Sequence, residues 1–188
     1  PTLKVQKITA GGVGGAFSFA QTNLASAPAA ITTTAANTAT PSSPSAIAVS
    51  TIGTAVTLTE TPATGYRLSA VSCSDGNHAN TANTAATFGT FSGNVVTIPA
   101  ANVVAGADVT CQVTNEKLPT LTVTKISDGD TGTFTFTGDN GWTSQDITTT
   151  ASGGAGVAGT TQTLSVASTA TTLTETLPAG WVMSGATC

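Results

Sequence analysis

The chain has 188 residues, of which only 7% are charged, and a formal net charge of −4. Five Lys and Arg residues cannot build the basic face that nucleic acid requires. No window holds the ~18 apolar residues of a membrane helix, so no membrane-spanning segment is expected.

Abundant Val, Ile and Thr with little net charge point away from disorder and toward many short strands. Leu3–Thr9 alternates apolar and polar residues. Ala16–Gln21 carries Phe17 and Phe19. Ala20–Ser45, rich in Ala, Thr and Ser with Pro28, Pro41 and Pro44, predicts a long surface excursion with a short strand near Ile31. Ala46–Thr51 follows. Thr54–Glu60 and Tyr66–Cys73 predict a hairpin across Thr61–Gly65, where Pro62 and Gly65 suit a turn. Asn94–Ile98 and Asp108–Asn115 complete the series. The pattern predicts an all-β fold, an antiparallel β-sandwich.

The chain then repeats itself. PTLKVQKIT (1–9) returns as PTLTVTKIS (119–127), FSF (17–19) as FTF (134–136), and ITTT (31–34) as ITTT (147–150). LTETPATGYRLSAVSC (58–73) returns as LTETLPAGWVMSGATC (173–188). The offset shrinks from 118 residues at Leu3 and Leu121 to 115 at Cys73 and Cys188, as small loop deletions would produce. Two tandem domains are expected: a complete repeat over 1–117, and a second, over 118–188, lacking the counterpart of Ser74–Lys117. Pro119 in the short junction predicts a semi-rigid connection.

The repeat also orders the cysteines. Cys73 and Cys111 fall late in two strands of one unit, and Cys188 repeats Cys73. A Cys73–Cys111 disulfide is expected, with Cys188 paired outside this segment; free buried thiols are the alternative. A disulfide implies an oxidising compartment. The single His78 has no second His or Cys-x-x-Cys beside it, so no metal or other cofactor is expected.

Two charges survive in both copies: Lys7 as Lys125, and Glu60 as Glu175. Leu3, Val5 and Lys7 share one face, as do Val56, Leu58 and Glu60, and Val109, Cys111, Val113 and Asn115. An amine, a carboxyl and a carboxamide therefore each end an inward row. Buried charges pair or neutralise. A neutral amine beside a carboxamide is a nucleophile facing an electrophile, and a carboxyl can shuttle the proton. Those residues predict a Lys7–Asn115 isopeptide crosslink promoted by Glu60. A buried Lys7–Glu60 ion pair, or a Lys7 that snorkels to the sheet edge, also fits the pattern.

VTKISDGDTGTFTF, LTETPATGY and a last strand ending VTN resemble the Cna B-type, or SpaA-like prealbumin-fold, domains of bacterial surface proteins. The resemblance covers the first copy and the available part of the second. It implies a prealbumin-like β-sandwich, stacked in stalks of adhesins and pili. It gives Lys7, Asn115 and Glu60 the isopeptide roles, with Lys125 and Glu175 repeating two of them. The shifted proline in Glu60-Thr-Pro-Ala-Thr-Gly-Tyr, the Ala/Thr excursion and the Cys pair depart from the family pattern.

Other motifs carry less. TPATG (61–65) approaches a cell-wall sorting signal but reads better as a turn. SDGDTG (127–132) has the alternating acids of a Ca²⁺ loop without its further ligands. GGVGG (11–15) lacks a phosphate-binding Lys. Trp142 and Trp181 offer sugar-stacking surfaces, although Trp181, aligned with Tyr66, suits the core. His78 reads as an exposed loop residue.

The expected function is a structural repeat of an extracellular bacterial filament, stalk or surface fibre, held by covalent staples. Its expected partners are neighbouring copies of the same repeat, with O-linked glycans on the Thr and Ser surface. The alternative is an adhesive module that binds glycan or host protein. No enzyme with turnover is expected, since Glu60 would act once on its own chain. The chain reads as a window in a longer repetitive protein; a second repeat completed by a strand of another molecule is the other option.

Overall fold

Alternation in Leu3, Val5, Lys7 and Thr9 carries directly into the backbone. In the computed structural model, which describes residues 1–188, Thr2–Ala10 form one strand, β1, with every second side chain buried. The chain divides into two compact units, Pro1–Lys117 and Leu118–Cys188.

Unit 1 continues with β2 (Ser18–Thr22), β3 (Thr40–Pro41), β4 (Ile47–Ala48), β5 (Val56–Thr61), β6 (Tyr66–Asp75), β7 (Thr90–Ser92), β8 (Val95–Ile98) and β9 (Asp108–Lys117). One sheet runs β3-β1-β9-β6, with β4 also on β1; the other runs β2-β5-β8-β7. β1 and β9 are parallel, from Thr2 opposite Asp108 to Ala10 opposite Glu116, whereas the neighbouring pairs are antiparallel. Leu3, Val5, Val109 and Val113 of the first sheet face Phe19, Val56, Leu58, Val96 and Ile98 of the second across one core. This is a β-sandwich.

The expected hairpin between β5 and β6 does not form. β5 pairs with β2 on one edge and β8 on the other, so it has no free edge for β6. β6 pairs instead with β9, and Pro62–Gly65 carries the chain from one sheet to the other. Gly65 takes φ 78° there, a conformation few other residues adopt. The Ala/Thr/Ser excursion runs mostly exposed over the surface and bridges at Ile31, as expected, but it also sends side chains into the core. Leu24, Ile31 and Thr33 are buried, Ile31 bridges Phe17, and β3 and β4 line the edge of β1. The stretch lacks period-2 patterning because short bridges, rather than long strands, place these residues.

Cys73 and Cys111 sit directly opposite each other on β6 and β9 and form a buried disulfide. Closing its 38-residue loop is worth about 4 kcal/mol in a chain-entropy account.

Asp75, at the end of β6, gathers the next loop. Its carboxylate accepts hydrogen bonds from Thr81 Oγ1 (2.7 Å), Asn83 Nδ2 (3.0 Å), and the backbone N–H of Asn77 (2.8 Å) and Asp108 (2.9 Å). Burial pushes its pKa up, but these donors, led by Thr81 and Asn83, outweigh it and hold the group at about 2 against an ordinary 3.8. The unfolded chain therefore binds this proton first as pH falls. Stability from Asp75 is full above about 3.8 and is lost as pH falls through about 2. Melting curves of wild type and Asp75→Asn are expected to lie well apart near pH 5 and to converge near pH 2; a gap independent of pH would refute this.

Unit 2 comprises β10 (Thr120–Leu121), β11 (Thr124–Lys125), β12 (Thr133–Gly138), β13 (Gln145–Thr148), β14 (Val157–Ala158), β15 (Gln162–Thr163) and β16 (Leu173–Thr176). β13-β12-β16 form its main sheet, β10 pairs with β15, and β11 pairs with β14. Phe134, Phe136, Trp142, Ile147 and Leu164 form its core. The chain has no helix long and apolar enough to cross a membrane.

Candidate functional site: a buried amine, carboxylate and carboxamide

β1 and β9 lie side by side, and β5 crosses opposite them in the facing sheet. Alternation turns the seventh residue of the chain inward on β1, Asn115 inward on β9 and Glu60 inward on β5. Lys7 and Asn115 are wholly buried and Glu60 is 2% exposed. Lys7 Nζ donates to Asn115 Oδ1 and to Glu60 Oε2 (3.2 Å). Asn115 Nδ2 donates to Glu60 Oε1 (2.6 Å), which also lies 3.1 Å from Lys7 Nζ. One carboxylate thus touches both the amine and the amide nitrogen.

Lys7 Nζ also stands 4.6 Å from the centre of the Phe17 ring. Tyr66 packs edge-on against that ring, with centroids 5.5 Å apart. Its hydroxyl donates to Val13 O in the Gly-rich loop (2.8 Å). Beyond Lys7, Thr9 and Thr33 share a buried hydroxyl–hydroxyl bond of 2.7 Å. Burial pushes the Lys7 ammonium down from 10.5 to about 8, against the raising effect of the Glu60 charge and hydrogen bond. The cluster therefore holds a lysine that loses its proton far more readily than usual, beside a carboxamide.

Unit 2 repeats most of this arrangement. Lys125 Nζ lies 2.6 Å from Glu175 Oε1 and 4.2 Å from the centre of the Phe134 ring. Trp181 packs edge-on against Phe134, with centroids 5.1 Å apart. Ser127 and Thr149 share a buried bond of 2.7 Å, as Thr9 and Thr33 do. No carboxamide reaches this pair, and the Lys125 side chain is 15% exposed where that of Lys7 is 0%.

Sequence reasoning identified the amine, carboxyl and carboxamide but missed the aromatic floor beneath each lysine and the hydroxyl pair beyond it. The recurrence of Phe17 as Phe134, and of Thr9 and Thr33 as Ser127 and Thr149, carried that signal. Among the weaker motifs, Trp142 is buried with its indole N–H on Phe136 O, which removes it as a sugar platform. His78 opens a short 3₁₀ turn, with Nδ1 3.0 Å from Asp75 O. Cys188 is a free, exposed thiol.

These features define a β-sandwich module whose first and last strands lie parallel over a carboxylate from the facing sheet. The chain matches the SpaA-type prealbumin-like fold domain twice, over residues 3–117 and 121–188. It belongs to that family. No curated protein and no solved structure matches it.

Proposed function

We propose that the chain is a structural module of an extracellular bacterial filament, stalk or surface fibre, in which unit 1 joins its first and last strands by a Lys7–Asn115 isopeptide. The buried contact of Lys7, Glu60 and Asn115 carries this reading. The neutral Lys7 amine attacks Asn115 Cγ, forming the N–C bond. Glu60 takes a proton from that nitrogen and passes it to Nδ2. The Cγ–Nδ2 bond breaks and ammonia leaves. Atoms balance without a cofactor, and the group that moves the proton already touches both nitrogens.

Family membership supports the surface role, since SpaA-like domains are structural rather than catalytic modules. The covalent staples suit it as well: a protein outside the cell meets proteases and mechanical load without chaperones. The disulfide fixes β6 to β9, and the isopeptide would fix β9 to β1, so that three adjacent strands become one covalent network.

Intact mass tests the crosslink. Wild type is expected about 17 Da below the disulfide-bonded sum of its residues, one ammonia lighter. Glu60→Ala and Asn115→Ala are expected to keep the full mass. Tandem mass spectrometry of a wild-type digest places the link between the Lys7 and Asn115 peptides and does not depend on how well the variants fold. A full-mass wild type would sink the crosslink.

A further inference from the structure

The glycine-rich loop between β1 and β2 lies against Tyr66, and its glycines stand where a side chain has no room. Tyr66 Oη donates to Val13 O (2.8 Å). Thr33 N donates to Gly14 O (2.8 Å), and Gly14 N donates to Thr33 Oγ1 (3.2 Å). A Cβ at Gly14 would stand 3.1 Å from the Tyr66 ring, and one at Gly15 would stand 2.6 Å from Ile31 O. A Cβ at Gly12 would stand 3.3 Å from Tyr66 Oη and 2.7 Å from the Lys117 side chain. Bare backbone therefore packs on Tyr66, which glycine alone allows. Val13 carries the one side chain of Gly11–Gly15, and it is 51% exposed.

The layers beneath the loop lead to the amine. Tyr66, 8% exposed, packs edge-on against Phe17, which is wholly buried. Lys7 Nζ lies over the Phe17 ring, 4.6 Å from its centre. From solvent inward the order is loop, phenol, phenyl, amine.

We propose that Gly11–Gly15 is a seal over the Lys7 amine, latched by the bond from Tyr66 Oη to Val13 O, and that Tyr66 is thereby a positioning residue for the crosslink. Its part in the crosslink rests on the isopeptide reading above; the seal itself does not, since it encloses the amine whether or not a bond forms. A closed seal denies water to the ammonium, which favours the neutral amine that attacks Asn115. The titratable and charged groups around the amine are Glu60, in contact from β5, and Tyr66 beyond Phe17; Lys117 lies outside, against Gly12. Loosening the loop leaves Glu60 in place, so the change read at Lys7 is the entry of water.

The test uses the full chain with Asn115→Ala, in which no crosslink forms and the Lys7 amine persists. Its pKa is read from the Cε resonance of ¹³C-labelled lysine, assigned by its loss on Lys7→Met. Tyr66→Phe keeps the ring and removes the latch. Gly14→Ala keeps the hydroxyl and drives the loop off the ring. Each is expected to raise the Lys7 pKa from about 8 toward 10.5, by about 1 or more. Val13→Ala keeps the carbonyl and is expected to leave it unchanged. Chains that retain Asn115 are freshly translated, taken up in urea and diluted to fold, and intact mass follows the loss of ammonia. Tyr66→Phe is expected to slow that loss about tenfold near pH 7, the change in neutral amine that a pKa rise of about 1 produces, and to match wild type near pH 9.5. An unchanged Lys7 pKa in both Tyr66→Phe and Gly14→Ala, or an equal rise with Val13→Ala, would overturn the seal. A deficit of the same size at both pH values would overturn the part of Tyr66 in the reaction. A wild type that never loses ammonia would overturn the crosslink and that part with it, while the Lys7 pKa decides the seal by itself.

Discussion

Stretched between tethers at its two ends, the chain is expected to keep residues 7–115 folded at forces that unravel unit 2. The proposed isopeptide joins positions 108 residues apart, near the start and end of unit 1, so the load passes through the bond and bypasses the residues between. Asn115→Ala removes the bypass. The load then falls on the parallel β1–β9 ladder, nine residue pairs pulled in shear. Once that ladder slips, the span opens except for the 38-residue disulfide loop. Roughly 70 residues are released, an extra contour length of about 250 Å. Force spectroscopy at one pulling speed should show this step in the variant and not in wild type. Equal total lengths would remove the crosslink from the mechanics. The same bond, closing so long a loop, would also restrict the unfolded chain by about 5 kcal/mol, a sizeable share of a domain's ~5–15 kcal/mol.

Strand parity was the most legible part of this fold. β1, β5 and β9 bury the residues their alternation assigns to the core, including Lys7, Glu60 and Asn115 at the ends of apolar rows. Parity is a local property, fixed by the two-residue period of a strand. Which sheet a strand joins is not local. Pro62–Gly65 looks like a hairpin turn from its residues, and a hairpin would have put Glu60 in the same sheet as Tyr66. It was the competition of β2 and β8 for both edges of β5 that excluded this pairing. The crossing is also what brings Glu60 over Lys7 and Asn115, since a carboxylate in their own sheet would have stood beside them.

The Asp75 cluster was missed for a related reason. Asp75 and Asn77 form an aspartate turn that a sequence can announce. The buried network around Asp75 depends on Asn83, Asn102 and Asp108, which arrive from later in the chain. Unit 2 was legible by comparison with unit 1. The retained Lys125 and Glu175 located its half of the cluster, and the structure places them 2.6 Å apart. What no alignment could show is that Glu175 keeps a buried oxygen without a donor.

Alkaline pH is expected to separate the crosslinked chain from its variants. In Asn115→Ala the Lys7 amine persists, and burial holds its pKa near 8, where the unfolded chain protonates it up to 10.5. Between those values the unfolded state binds the extra proton, so stability of the variant rises with pH across the window. The penalty of burying the charged amine is full below about 8 and relieved by about 10.5; its size is on the order of 3 kcal/mol. In crosslinked wild type that nitrogen is an amide and does not titrate, so its profile lacks this rise. Glu60→Gln goes further: the carboxylate that supports the ammonium is gone, so the Lys7 pKa falls and the rise begins at lower pH. Urea unfolding of unit 1 can be followed by proton NMR of His78, the chain's single histidine. Wild type and Asn115→Ala with parallel profiles would mean that Lys7 carries the same group in both, and the isopeptide would be excluded.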